Sequence, residues 1–509
     1  MNDEPRSGVP ETSGRDAVVI GGGLAGVTAA LALADAGVRV TLLEGRPRLG
    51  GLAFSFRRGG LTVDNGQHVY LRCCTAYRWF LDRIEGTALA PLQDRLDVPV
   101  VDLARPEGRR LGRLRRDALP VPLHLGRSLA TYPHLSLAER ASVGRAALAL
   151  KRLDLADPAL DAQDFGSWLA AHGQSPRAVE ALWDLVGVAT LNAVAGDTSL
   201  ALAAMVFKTG LLSDPGAADI GWAHVPLGEL HDRLARRALD SAGVRTEVRA
   251  RVSAVSAAAD GTWTVRASGV PGETLRADAV VLAVPQREAH DLLPDGALDA
   301  PERLLEIGTA PILNVHVVYD RKVLDAPFLA ALGTPVQWVF DRTDASGLRE
   351  GQYLALSQSA AQDDIDAPVA ALRERYLPEL ERLLPGTRGA TVRDFFVTRE
   401  RTATFAPAPG VGRLRPGART KSPGLYLAGA WTATGWPATM ESAVRSGVSA
   451  ADAALAALGR PRPRRLFAFE EAARRGVPGD AAAGSGSAAG RNPGREPEGP
   501  GVPLRGGTR

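Results

Sequence analysis

Residues 16–51 read DAVVIGGGLAGVTAALALADAGVRVTLLEGRPRLGG, and the order of residue types in this stretch decides the fold class. The apolar run 16–20 reads as a buried strand. It passes directly into glycines at 21, 23 and 26, and residues 24–36 then continue as a helix of small and apolar side chains. Gly37 stands where a helix commonly ends, and residues 38–43 (VRVTLL) form the next apolar run. Strand, glycine turn, helix, strand is a βαβ unit. The Ala-rich helix implies close packing on its sheet.

G-x-G-x-x-G is a weak signal alone, but here it lies between a buried strand and a helix, as dinucleotide binding requires. Gly21 permits the tight turn, Gly23 lets the backbone approach a pyrophosphate, and Gly26 allows helix and strand to touch. Leu24 and Ala25 open the helix, whose N–H groups and positive dipole end face the phosphates. Glu44 closes the second strand 18 residues after Gly26, where a carboxylate accepts hydrogen bonds from a ribose.

Working outward, residues 105–218 read as mostly helical. Ser136 and Glu139 have capping-box spacing, and Ser175-Pro176 reads as an N-cap followed by the first helical residue. A helix is expected over 228–242. Strand patterns follow at 244–255 and 262–267, joined by the turn Asp260-Gly261. Residues 279–284 (AVVLAV) form a further buried strand, and 312–319, 335–340 and 352–358 read as strands of a second sheet. Residues 368–384 read as a helix, and 425–428 as a buried strand leading through Gly429 to a helix over 438–458.

Composition narrows the class. Of 509 residues 45% are hydrophobic and 23% charged, an ordinary globular balance, and no long uncharged apolar stretch predicts a spanning helix. The net charge of +3 does not point to nucleic acid. Residues 461–509 hold nine Arg against five acids, so the excess lies in a Pro-, Gly- and Ser-rich tail expected to be disordered. The only cysteines, Cys73 and Cys74, are adjacent, which suits a reducing cytoplasmic setting better than a disulfide framework. The eight histidines show no metal-ligand spacing, so no metal site is expected.

Two further segments carry a resemblance. After Glu44 come Arg46, Gly50, Gly51 and Leu52, in an ExRxRxGG order, and residues 424–447 read GLYLAGAWTATGWPATMESAVRSG. With LTVDNGQHVYLRCCTAYRWFL at 61–81, these motifs make the chain resemble the amine-oxidase/carotenoid-desaturase flavoproteins, and within them the hydroxysqualene dehydroxylases. The resemblance spans residues 15–458. It implies an α/β fold in which a Rossmann-type FAD-binding domain of the two-dinucleotide-domain flavoprotein kind is interleaved with an α+β substrate domain. The expected division is FAD-binding at 1–105, 220–300 and 411–460, and substrate-binding at 106–219 and 301–410.

The resemblance also implies FAD contacts at Gly21, Gly23, Leu24, Ala25, Gly26, Glu44, Arg46, Gly50, Gly51, Leu52, Val252, Gly429, Ala430, Thr439 and Met440. Two of these depart from the family pattern: many relatives have Arg where Leu52 stands, and Asp where Ala430 stands. The implied reaction is reductive dehydroxylation of hydroxysqualene, a C30 isoprenoid alcohol, to squalene in hopanoid and triterpene biosynthesis. Other readings are a carotenoid-type desaturase, an amine oxidase and a non-catalytic flavin-containing lipid-binding subunit. His68 is the candidate acid for departure of the hydroxyl, with Asp64 placed to orient it, because histidine titrates near neutral pH. Trp168, Trp183, Phe207, Trp222, Trp338 and Phe340 are candidate walls of a prenyl tunnel. Residues 119–135, apolar and flanked by arginines, are a candidate for peripheral contact with the inner face of the cell membrane. Neighbouring squalene-pathway synthases are the expected protein partners.

Overall fold

The computed structural model describes residues 15–463, so the expected disordered tail lies, beyond residue 463, outside the described residues. Its first layer is a parallel five-stranded sheet in the order Leu425–Leu427, Ala279–Leu282, Asp16–Ile20, Arg39–Glu44, Arg245–Val248. Ala17, Val19, Val281 and Tyr426 point to one core, and Val18, Ile20, Leu282 and Leu427 to another. Burial on both faces is why these strands read as unbroken apolar runs. Helices Leu24–Asp35 and Met440–Ala457 pack on each other over the first face.

Residues 244–255, read as a single strand pattern, are two strands in different sheets. Arg245–Val248 ends the parallel sheet, and Arg251–Ala257 begins an antiparallel sheet with Trp263–Ser268 and Thr274–Ala277. The break is at Arg249, whose positive φ of 57° turns the chain; its N–H is held by the carbonyl of Arg46.

The second large sheet has seven strands in the order Val392–Thr404, Ala310–Tyr319, Gln352–Gln358, Trp338–Asp341, Phe328–Leu332, Asp97–Asp102, Leu111–Arg115. The boundary expected at residue 105 therefore falls too late. Asp97–Asp102 pairs with Phe328–Leu332 and Leu111–Arg115, and belongs to this second sheet. The helical block forms as the sequence indicates. Ser136 accepts from the Glu139 N–H while Glu139 returns a bond to the Ser136 N–H, and Ser175 caps Ala178 ahead of a π-helical turn at Val179–Asp184.

The six aromatics expected along a tunnel divide into two groups. Trp168, Trp183 and Phe207 pack around Phe165 in the closed core of the helical block. Trp222 instead meets Phe328 edge-on, beside Trp338 and Phe340 on the second sheet. Among the described residues no helix is long and apolar enough to cross a membrane.

Candidate functional site

The glycine turn packs backbone against backbone. A Cβ at Gly26 would lie 1.9 Å from the Gly21 carbonyl oxygen, so helix and turn touch only because it is absent. A Cβ at Gly51 would lie 2.9 Å from the Gly23 Cα, and the Gly50 N–H donates to the Gly22 carbonyl at 2.9 Å. The ExRxRxGG segment thus lies against the turn, backbone to backbone. Gly23, the N-cap residue, makes no side-chain cap, which leaves the first-turn N–H groups of Leu24–Asp35 without one. That donor set and side-chain-free floor fit a pyrophosphate.

Glu44 has a second task that the sequence reading did not include. Its carboxylate accepts from the Gly22 N–H and the Arg46 N–H, both at 2.7 Å, so it ties the turn to the loop that follows the second strand. The Ala250 N–H donates to the Glu44 carbonyl, which brings the strand containing Val252 alongside. Leu52 is 47% exposed, an apolar face left open beside the glycines.

The C-terminal signature forms an arched loop between Leu425–Leu427 and Met440–Ala457, and its keystone is Arg415, which sequence reasoning missed. This buried guanidinium donates to the carbonyls of Ala430, Trp431, Thr432 and Trp436 and to the Thr434 hydroxyl, and it lies over the Phe405 ring. Burial pushes it down to about 10, still charged near neutral pH. Thr439 caps the last helix by accepting from the Ser442 N–H, and the Trp431 indole reaches the Val284 carbonyl. The loop is therefore pinned to the carboxyl ends of the parallel strands, beside the glycine turn.

The Asp64–His68 run folds into the third part. Asp64 accepts from the Ser55 hydroxyl at 2.6 Å, the Leu227 N–H at 2.9 Å and the Arg342 guanidinium at 2.7 Å. The structure does not give it the task of orienting His68. Its carboxylate is taken up by these three groups, whereas His68 makes no hydrogen bond with another described residue. The cavity beside them is lined by Asp64, Gln67, His68, Trp222, Phe340 and Arg342. Arg342, a second residue that the sequence did not single out, donates onward to the carbonyls of Ala223 and Val225.

The electrostatics also revise the acid assignment. Burial, and then the nearby Arg342 charge, push the His68 imidazole down to about 4, so it is neutral near pH 7. It can donate one hydrogen bond but is not a standing imidazolium.

Two other buried imidazoles behave alike for the same leading reason, burial. His231, bonded to Tyr77 and the Ala53 carbonyl, is pushed down to about 4, and His316, between Tyr353 and Thr398, to about 3. The unfolded chain takes up these protons near pH 6.5, and the folded protein only near 3–4. The stability that follows is intact above about pH 6.5 and is lost as pH falls toward 3, by roughly 3–5 kcal/mol per group. The melting temperature should therefore drop steeply through that window. A His316→Leu variant should show a shallower slope there, and an unchanged slope would refute the assignment.

With this geometry in place, the comparisons with known proteins fall into order. Residues 24–455 match the family described as flavin containing amine oxidoreductase. The chain is 30% identical over 443 residues to the hydroxysqualene dehydroxylase of Rhodopseudomonas palustris, covering 86% of this chain and 98% of that one. It is 25% identical to the 15-cis-phytoene desaturase of Narcissus pseudonarcissus, covering 87% and 80% respectively. The fold is shared with cyclohexylamine oxidase from Brevibacterium oxydans, at a TM-score of 0.62 and 19% identity, over 88% of this chain and all of that one. Profile, relatives and the pyrophosphate-shaped turn agree, and the chain belongs to the flavin-containing amine oxidoreductase family as an FAD-dependent oxidoreductase.

Proposed function

We propose that the protein removes the hydroxyl group of hydroxysqualene reductively, giving squalene, as a step of hopanoid or triterpene biosynthesis. The observation that carries this reading is the match, over 98% of its length, to a relative named hydroxysqualene dehydroxylase. The cavity at Arg342 supports it, since it sets charged and polar groups against the aromatic walls Trp222 and Phe340. An amphiphilic alcohol has both kinds of surface.

In the reaction an allylic C–O bond breaks, a C–H bond forms at the same carbon, and the oxygen leaves as water after gaining a proton. Bound FAD supplies the two-electron chemistry, drawing on an external two-electron reductant. We assign its hold to Gly21, Gly23, Leu24, Ala25, Gly26 and Glu44 at the phosphate and ribose end, with Arg46, Gly50, Gly51, Leu52 and Val252 beside them. Gly429, Ala430, Thr439 and Met440 complete the hold at the far end. The chain's own part in the chemistry is to exclude water, seat the prenyl chain and stabilise the departing oxygen. His68 serves there as a neutral donor, and Asp64 acts by holding Arg342.

The 15-cis-phytoene desaturase relatives favour a second reading, desaturation of a polyene hydrocarbon. Anaerobic incubation of the photoreduced protein with hydroxysqualene or with phytoene separates the two. Squalene formed with flavin reoxidation is the expected result. Reduced flavin that persists with hydroxysqualene would end the dehydroxylase reading.

We also propose peripheral contact with an anionic membrane surface, from which the substrate is drawn; squalene-pathway synthases are the neighbours this location implies. Residues 119–135 are not exposed as a whole, because Tyr132, His134 and Leu135 are buried in the core. The surface is instead made by Leu111, Leu119, Leu123 and Leu137, exposed on adjacent elements, with Arg113, Arg115 and Arg127 among them. Leu119→Ser/Leu123→Ser should cut flotation with anionic liposomes several-fold and leave the melting temperature unchanged. Full flotation of that variant would exclude the surface.

A further inference from the structure

The cavity beside the Asp64–His68 run contains more hydrogen-bond donors than the protein uses. Arg342 makes three bonds, from Nη1 to the Ala223 carbonyl and from Nη2 to Asp64 and the Val225 carbonyl. A guanidinium has five N–H groups, so its Nε–H and one Nη1–H have no partner among the described residues. The Gln67 amide nitrogen is buried with no partner, and His68, half-buried on the cavity wall, makes no hydrogen bond with a described residue. The single carboxylate in the cavity, Asp64, is already taken by Ser55, Leu227 and Arg342. The remaining lining is apolar, including Val69, Trp222 and Phe340. The enclosed part has room for about one water-sized group.

A buried donor without a partner is costly unless an acceptor arrives, and the Gln67 amide is such a donor. A hydrocarbon provides no acceptor. We propose that Arg342, Gln67 and His68 form an oxygen subsite that receives the hydroxyl of an otherwise apolar substrate and selects an alcohol over a hydrocarbon of the same chain. This rests on the dehydroxylase reading above and adds to it the residues that make the distinction. Asp64 is a positioning residue in this arrangement. It fixes the guanidinium and neutralises its charge, so the subsite binds a neutral hydroxyl rather than demanding an anion.

The test uses oxidised holoenzyme, which binds the alcohol without turning it over. It is titrated with a C30 allylic alcohol and with the matching hydrocarbon, read by tryptophan fluorescence, with flavin absorbance recorded in the same samples. The variants are Gln67→Leu and the charge-matched pair Asp64→Asn/Arg342→Gln, which leaves no buried ion unpaired. Wild type should bind the alcohol roughly ten- to hundred-fold more tightly than the hydrocarbon, as expected for hydrogen bonds to a charged donor. Both variants should lose most of that preference while hydrocarbon affinity and flavin content hold.

A preference that survives in both variants with FAD bound overturns the subsite and leaves the dehydroxylase reading standing. Equal affinity of wild type for the two ligands overturns it as well. Wild type that binds neither ligand overturns both proposals. Variants that shed FAD yet keep the preference assign these donors to the cofactor and not to the substrate.

Discussion

Arg415→Met is expected to yield a protein that emerges from gel filtration largely free of FAD and is destabilised by several kcal/mol, since each buried carbonyl left without its charged donor costs about 1–3 kcal/mol. The substitution keeps the apolar bulk over Phe405 and removes every donor. Four carbonyls, those of Ala430, Trp431, Thr432 and Trp436, then lose a charged partner at once. All four belong to the loop between the last parallel strand and the last helix, so the loss falls on this arch, which we assign to the cofactor, and not on the core at large. The ratio of flavin to protein absorbance, with a thermal melt on the same sample, reads the outcome. Stoichiometric FAD with an unaltered melt would show that the arch stands without Arg415. Arg415→Lys should recover part of the loss, because an ammonium reaches fewer of the five acceptors than the planar fork does.

Gly447→Ala should be nearly as damaging for a different reason. A Cβ at Gly447 would lie 2.2 Å from the Ala25 carbonyl oxygen and 2.9 Å from the Thr28 Cβ. Both belong to the helix that opens at the glycine turn, so the two dinucleotide signatures meet at this crossing. The helices must separate to admit one methyl group, at a cost of about 1–3 kcal/mol for overpacking. The first turn of Leu24–Asp35 shifts with them, and FAD affinity should fall along with stability. Gly144 provides the control. It lies within helix Leu137–Arg152, nothing lies within 4 Å of its added Cβ, and Gly144→Ala should stabilise by about 0.4–1 kcal/mol. Equal melts for the two variants would remove the close-approach argument.

The sequence declares the parallel sheet well, because strands buried on both faces must be apolar throughout and the turn between them needs glycine. Asp16–Ile20, Arg39–Glu44, Ala279–Leu282 and Leu425–Leu427 all stand out for that reason. Val392–Thr404 does not, because charged residues interrupt its pattern and it lies at the edge of its sheet. The split at Arg249 is equally silent, since a left-handed residue that is not glycine leaves no mark in composition.

The site was legible in proportion to its glycines. Arg342 and Arg415 went unnoticed because nearly every basic residue here is arginine, so neither position stands out until the chain is folded around it. Trp168, Trp183 and Phe207 are the converse case. Large aromatics suggested a tunnel, and close packing around Phe165 used them instead. The sequence offers His68 only as an ordinary imidazole, and burial beside Arg342 lowers its proton affinity.

The strand order also governs how the protein can be made. Ala279–Leu282 lies between Asp16–Ile20 and Leu425–Leu427, and the glycine-turn helix waits for Gly447 on the last helix. A chain leaving the ribosome at about 5–20 residues per second spends roughly 20–90 s before that residue is synthesised. For the latter part of that time the first dinucleotide motif is complete in sequence, and yet its sheet has an open edge and its helix has no partner. Cofactor capture is thus a late event in the life of each molecule. Nascent chains interrupted before residue 447 should be prey for chaperones and proteases and not half-competent flavoproteins.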